Sequence, residues 1–212
     1  MLNEAKFFKK ISENELTKGE RTKLSIIRAC VKVLHHHGLT KFTFENIAQQ
    51  CGLKKSHIAY HFPNKPQLFD LTVRYVFLQG QEIVIQAMQD LTDPADMLQT
   101  YIFASHDWIL KNPEYGSTIT AMLALASQSS ANTTSNFGID MINLGYQRIQ
   151  ALLVNVIGED MPEKTTSFVQ DWLNGRVIFC AANPPRVEKR NEYKHNTWQV
   201  IKKIANIPET YH

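Results

Sequence analysis

Apolar residues recur every three or four positions along almost the whole chain, and the breaks are glycines and prolines rather than alternating strands. Leu24, Ile27, Val31 and Leu34 form the first stripe, widened by Ile26, Cys30 and Val33. It predicts a helix over about 20–37, stopped by Gly38. Thr43 is the expected N-cap of a short helix over about 44–51, with Ile47 and Ala48 facing inward. Gly52 makes a corner, and a second short helix over about 54–61 turns Leu53, Ile58 and Phe62 inward. Asn64 caps a long helix over about 65–89, where Pro66 is tolerated in the first turn. Asp93-Pro94 opens a helix to Lys111, and Asn112-Pro113 begins another to about Ser127. Beyond the polar stretch "SSANTTSN" a helix over about 136–157 ends at Gly158. Met161-Pro162 opens one to about Ala182, Asn183-Pro184-Pro185 stops it, and the last covers about 186–205. The expected fold class is therefore all-α.

At 212 residues, 43% of them hydrophobic and 20% charged, the chain can bury a core in one domain or two. "MLNEAKFFKK" lacks the continuous apolar stretch of a signal peptide, and no apolar run reaches the roughly 20 residues that span a bilayer. Cys30, Cys51 and Cys180 are far apart and form no CxxC pair. They read as reduced core thiols of a cytoplasmic protein with no membrane association, not as a disulfide or zinc set. His35, His36 and His37 are consecutive, so on a helix they point about 100° apart and cannot converge on one ion. They suit a helix C-terminus instead, and no metal is expected.

The net charge of +3 conceals an asymmetry. Residues 1–65 hold 12 Lys and Arg against 5 Asp and Glu, whereas residues 66–212 hold 11 against 15. A basic head on an acidic body suits a polyanionic partner. The head also contains the arrangement of helix, glycine corner and helix that places a second helix in the DNA major groove. Ala48 is small enough for close approach, and Gly52 turns without a Cβ clash. Lys54, Lys55, Ser56, His57, Tyr60 and His61 fall on the outward face of that second helix, as donors suited to phosphates and base edges.

The stretch "RTKLSIIRACVKVLHHHGLTKFTFENIAQQCGLKKSHIAYHFPNKPQLFDLTV" resembles the N-terminal DNA-binding domain of TetR-family transcriptional regulators over about residues 20–75. The likeness rests on the Gly38, Thr40 and Thr43 spacing, on Ile47-Ala48 with Gly52, and on Tyr60-His61-Phe62 followed by Lys65. It implies a three-helix helix-turn-helix DNA-binding domain at 18–65 and a larger helical ligand-binding and dimerisation domain at 66–212. By motif position, Lys55, Ser56 and Ala59 face bases, and Glu45 adds a contact from the preceding helix. His57, Tyr60, His61 and Lys65 mostly hold phosphates, and Thr43 sits where its helix N-terminus can meet one. The sequence departs from the family pattern twice. Lys54 stands where a capping Ser is usual, and Ala59 stands where a tyrosine is usual.

The body offers no enzyme signature, because His106-Asp107 lacks the further histidines and carboxylates of a metal-dependent hydrolase. The expected function is not enzymatic and needs no cofactor. Phe77, Tyr101, Phe103, Trp108, Tyr115, Met122, Phe137, Met141 and Tyr146 are candidates to line an apolar pocket. The implied partners are double-stranded DNA, a hydrophobic or aromatic small-molecule effector, and a second copy of the chain docked through the last two helices. Those helices carry Phe168, Val169, Trp172, Leu173, Val177 and Cys180, then Trp198, Ile201 and Ile204. The reading is a ligand-responsive regulator, most often a repressor. The alternative is a DNA-binding protein of the same fold with a docking role and no effector.

Overall fold

A computed structural model describes residues 16–128 and 137–208, with nine α-helices among them. In chain order these are α1 (Lys18–His37), α2 (Phe44–Cys51), α3 (Lys55–His61), α4 (Lys65–Met88) and α5 (Pro94–Lys111). There follow α6 (Pro113–Gln128), α7 (Phe137–Ile157), α8 (Thr165–Ala182) and α9 (Arg190–Ala205), with single 3-10 turns at Leu39–Lys41 and Val187–Lys189. No strand occurs among the described residues, so the all-α expectation holds. None of these helices is long and apolar enough to cross a membrane.

The capping chemistry explains the starts. Thr17 and Glu20 form a capping box, so α1 begins two residues before the apolar stripe alone suggests. The Thr43 hydroxyl accepts from the Asn46 amide at 3.2 Å, the Asn64 side chain from the Gln67 amide at 2.8 Å, and Asp93 from Ala95 and Asp96. Helix α8 starts later than Met161-Pro162 suggests, because the Thr165 amide bonds the Pro162 carbonyl in a turn and Lys164 offers no side-chain cap. Helix α9 likewise starts later, after the 3-10 turn. Asn174-Gly175, a pair that favours hairpin turns, lies inside α8.

The chain forms two compact units, Met1–Gln79 with Pro113–Gly138, and Gly80–Asn112 with Ile139–His212. In the first, α2 and α6 pack on α1. Ile26, Ile27, Cys30, Val33 and Leu34 are buried there with Phe42, Ile47, Ile58, Phe62 and Leu68. Helix α6 completes this unit: His35 Nδ1 lies 2.9 Å from Ser117 Oγ, and the Tyr75 and Tyr115 rings meet edge to face at 6.5 Å. In the second unit α5, α8 and α9 pack together. Their core holds Leu98, Ile102, Ile149, Leu153, Val169, Trp198 and Ile201.

Helix α4 belongs to the first unit up to Gln79 and to the second from Gly80. Gly80 is fixed by packing: a Cβ there would lie 2.8–2.9 Å from three atoms of the Trp108 ring. Gly80→Ala should therefore lower stability. The clash costs about 1–3 kcal/mol and outweighs the gain in helix propensity of roughly 1 kcal/mol. Thermal denaturation followed by circular dichroism measures the difference.

Candidate nucleic-acid interface

Local chain chemistry sets the geometry of the head. Gly52 takes a left-handed conformation, φ 67° and ψ 28°, and its amide bonds the carbonyls of Ala48 and Gln49. The Leu53 amide also returns to Ala48 at 2.9 Å, which closes α2 tightly and sends α3 off in a new direction. Ile58 and Phe62 are buried to anchor α3. Lys54, Lys55, Ser56, His57, Ala59 and Tyr60 are exposed, Tyr60 by 84%. His61 is half-buried with its ring 5.1 Å from that of Tyr60. Burial lowers its proton affinity, and the charge of Lys23 and then of His57 adds to the effect. Thr43 and Glu45 at the start of α2, and Lys65 at the start of α4, are exposed as well. Every residue assigned to DNA thus lies in the first unit, and only His61 is not fully exposed.

Lys54 occupies the N-cap of α3 without a side-chain bond to the helix. Its position adds charge and gives up about 1 kcal/mol of capping stability. One basic surface escaped the sequence reading. Arg21, Arg28 and Lys32 line a cleft of about 380 Å³ with Ser25, Gln50 and Cys51. The signal was their spacing of seven and four along α1, which sets them on one face.

These features match known proteins. Residues 26–71 fit the family model described as bacterial regulatory proteins, tetR family. Over this N-terminal stretch the chain is similar to that family. It is 26% identical over 97 residues to the HTH-type transcriptional repressor NicS of Pseudomonas putida. That match takes in 46% of each protein, so the chain spans about half the length of the curated relative it matches. A transcriptional regulator from Rhodococcus sp. Rha1 superposes with a TM-score of 0.69 at 16% identity, over 88% of this chain and 99% of that one. AibR, solved in complex with isovaleryl coenzyme A and operator DNA, does so with a TM-score of 0.68 at 13% identity, over 88% and 99%. At such identities the likeness to the solved structures concerns the fold.

The pocket candidates fall in both units. Phe77 and Met122 belong to the first, with Met122 buried. Trp108 is buried in the second, Tyr101 and Phe103 pack half-buried against its core, and Tyr146 is half-buried too. The side chains of Phe137 and Met141 lie outside the described residues. Of the apolar residues on α8 and α9, Val169, Leu173, Cys180, Trp198 and Ile201 are buried within the chain itself. The exposed apolar face of α8 is Phe168, Ile178 and Phe179. Among the described residues no group of three or more His, Cys, Asp or Glu is placed to hold a metal ion.

His106 is the outlier of the second unit. It is 2% exposed, and neither ring nitrogen makes a well-formed hydrogen bond among the described residues, the Ile102 carbonyl offering only a weak acceptor. Its neighbour Asp107 is held by Lys194 at 3.1 Å, so the pair forms no joint acid–base unit. Burial first, then the positive charge of Arg176, drive the His106 pKa down to about 4; Lys194 acts the same way, while Asp107 and the Ile102 carbonyl oppose. In the unfolded chain the ring titrates near 6.5. Between those values the unfolded state binds more protons. Stability should therefore be full above about pH 6.5 and decline as pH falls to about 4, by on the order of 3 kcal/mol. Urea unfolding at a series of pH values, with wild type against His106→Phe, checks this: the variant should lose most of that decline.

Proposed function

We propose that the protein is a ligand-responsive transcriptional repressor that binds an inverted-repeat operator as a homodimer and is released by a small apolar or aromatic effector. The observation that carries the reading is the outward face of α3, where lysines, histidines and a nearly fully exposed tyrosine surround one buried anchor, Ile58. An aromatic ring left in water beside cations suits a nucleic-acid backbone rather than a protein core. In this reading Lys55, Ser56 and Ala59 meet bases, with Glu45 alongside. His57, Tyr60, His61, Lys54 and Lys65 hold phosphates, and Thr43 presents the N-terminus of α2. The relative named as a repressor supports the direction of control. The neighbour crystallised with both an acyl thioester of coenzyme A and operator DNA supports the pairing of effector and operator.

The dimer forms through the last two helices, with α8 as its main seam. Phe168, Trp172, Gly175 and Phe179 follow one another at spacings of four, three and four, the rhythm of a helix-to-helix seam. Phe168 and Phe179 are more than half exposed, and Gly175 has open space about it. A two-fold dimer places both reading helices about one DNA turn apart, roughly 34–36 Å. Such a regulator works in the cytoplasm, on the chromosome.

Charge on the backbone and contacts to bases are separable. Lys65→Ala should weaken binding to every duplex and reduce the salt slope by about one unit. Lys55→Ala should change the preference between operator variants by roughly 1–3 kcal/mol. Fluorescence anisotropy over a salt series measures both, and the absence of salt-dependent DNA binding by wild type would refute the central reading.

An effector should lower operator affinity roughly 5- to 150-fold, the usual coupling of about 1–3 kcal/mol, and the operator should weaken effector binding by the same factor. Compounds found by thermal shift, then titrated into the protein–DNA complex, test this. Compounds that stabilise the protein and leave DNA affinity unchanged would favour the docking role.

A further inference from the structure

We propose that the effector carries a carboxylate, and that His106, Arg176, Tyr193 and Lys194 form the subsite that holds it. The proposal rests on the effector reading above and names the chemistry of that effector. All four residues belong to the second unit. Tyr193 is their hub. Its ring meets His106 edge to face at 5.7 Å, and the Arg176 guanidinium lies 3.9 Å from its centroid. Its hydroxyl donates to the Arg176 carbonyl at 3.3 Å and accepts from the Cys180 thiol.

Two groups in this cluster are left without what they need. Neither nitrogen of the buried His106 makes a well-formed hydrogen bond among the described residues. A buried ring without one is destabilising and rare in a finished core. Arg176 is half-buried beneath three aromatic rings, Tyr193 with Trp172 and Phe179 at 5.7 and 5.8 Å. Its Nε is buried without a partner, and no ion pair involves it among the described residues. A guanidinium with a desolvated Nε gains from a counter-charge.

The charge count selects the ligand. Lys194 already faces Asp107, so one positive charge, that of Arg176, is left uncompensated. That suits a monoanion rather than a phosphate dianion. A carboxylate presents two acceptor oxygens, which a guanidinium and an imidazole N–H can satisfy together. Lys194 Nζ also sits 5.5 Å from the Phe103 ring, which gives an apolar body something to lie against. Unmet polar groups at a binding site are stability given up for recognition.

The test uses benzoate and hexanoate as probes, with benzamide and hexanamide as their neutral counterparts. By thermal shift on the full-length protein, at least one acid should raise the melting temperature by about 5–10 °C near saturation, and its amide should not. Arg176→Gln should abolish the response, and Arg176→Lys should restore part of it. His106→Phe keeps the ring edge against Tyr193 and removes the orphan nitrogens. It should melt about 2–4 °C higher without ligand and lose the response to acid. If Arg176→Gln does not fold, His106→Phe decides alone. Equal shifts by acid and amide, no shift with either acid, or an acid response retained in His106→Phe would each overturn the subsite. Acid binding that leaves operator affinity unchanged upholds the subsite and removes the switch. Release from DNA by the amides alone does the reverse.

Discussion

The apolar face of α1 is what the head is built on. Ile26, Ile27, Cys30, Val33 and Leu34 are all but removed from water, and the neighbouring elements exist in their observed places because they cover that face. Helix α2 is only 8 residues long, too short to hold itself in water. It persists through Ile47 and Ala48 on α1, and through them it fixes Gly52 and the direction of α3. Helix α3 is shorter still and is uncapped at Lys54, so Ile58 and Phe62 alone tie it down. Burial thus leaves the remaining side chains of α3 free to face outward, and their chemistry is unconstrained by folding.

Charge and polarity follow the same division of labour. In the head, positive groups stay in water: Lys54, Lys55 and Lys65 near α3, and Arg21, Arg28 and Lys32 on the cleft of α1. In the second unit, polar groups are instead drawn inside. His106 lacks a well-formed hydrogen bond among the described residues, Arg176 is wrapped in rings, and Cys180 bonds Tyr193. The first pattern suits a large, solvated polyanion met at the surface; the second suits a small molecule that leaves water altogether.

Most of the fold was legible because its punctuation is chemical. Gly38, Gly52, Asn64, Asp93-Pro94 and Asn112-Pro113 each mark a boundary, through a positive φ, a cap or a missing amide donor. The starts of α8 and α9 were less so, because Pro162 and Pro185 are followed by turns whose lengths no side chain declares. Asn174-Gly175 shows the reverse case, a strong turn signal overridden by the packing of Leu173 and Val169 on either side of one helical turn. The outward face of α3 was legible because Ile58 and Phe62 fix its phase. The pocket set was not: an aromatic at helical spacing looks the same whether it fills a core, as Tyr101 and Phe103 do, or lines a void. The cluster about Tyr193 was invisible, since its members come from α5, α8 and α9 and meet only in three dimensions.

The first unit is discontinuous in sequence, and this bears on how the chain is made. Helix α1 leaves the ribosome well before α6, which covers part of its apolar face and starts only at Pro113. All of α2 to α5 must be synthesised before the head is complete. Until then the nascent α1 carries exposed Ile and Val side chains, a surface on which chaperones and unwanted partners compete. A fragment ending at the close of the helix-turn-helix would keep that exposure permanently. The head is therefore not a detachable module, and its integrity reports that the chain has been made through α6.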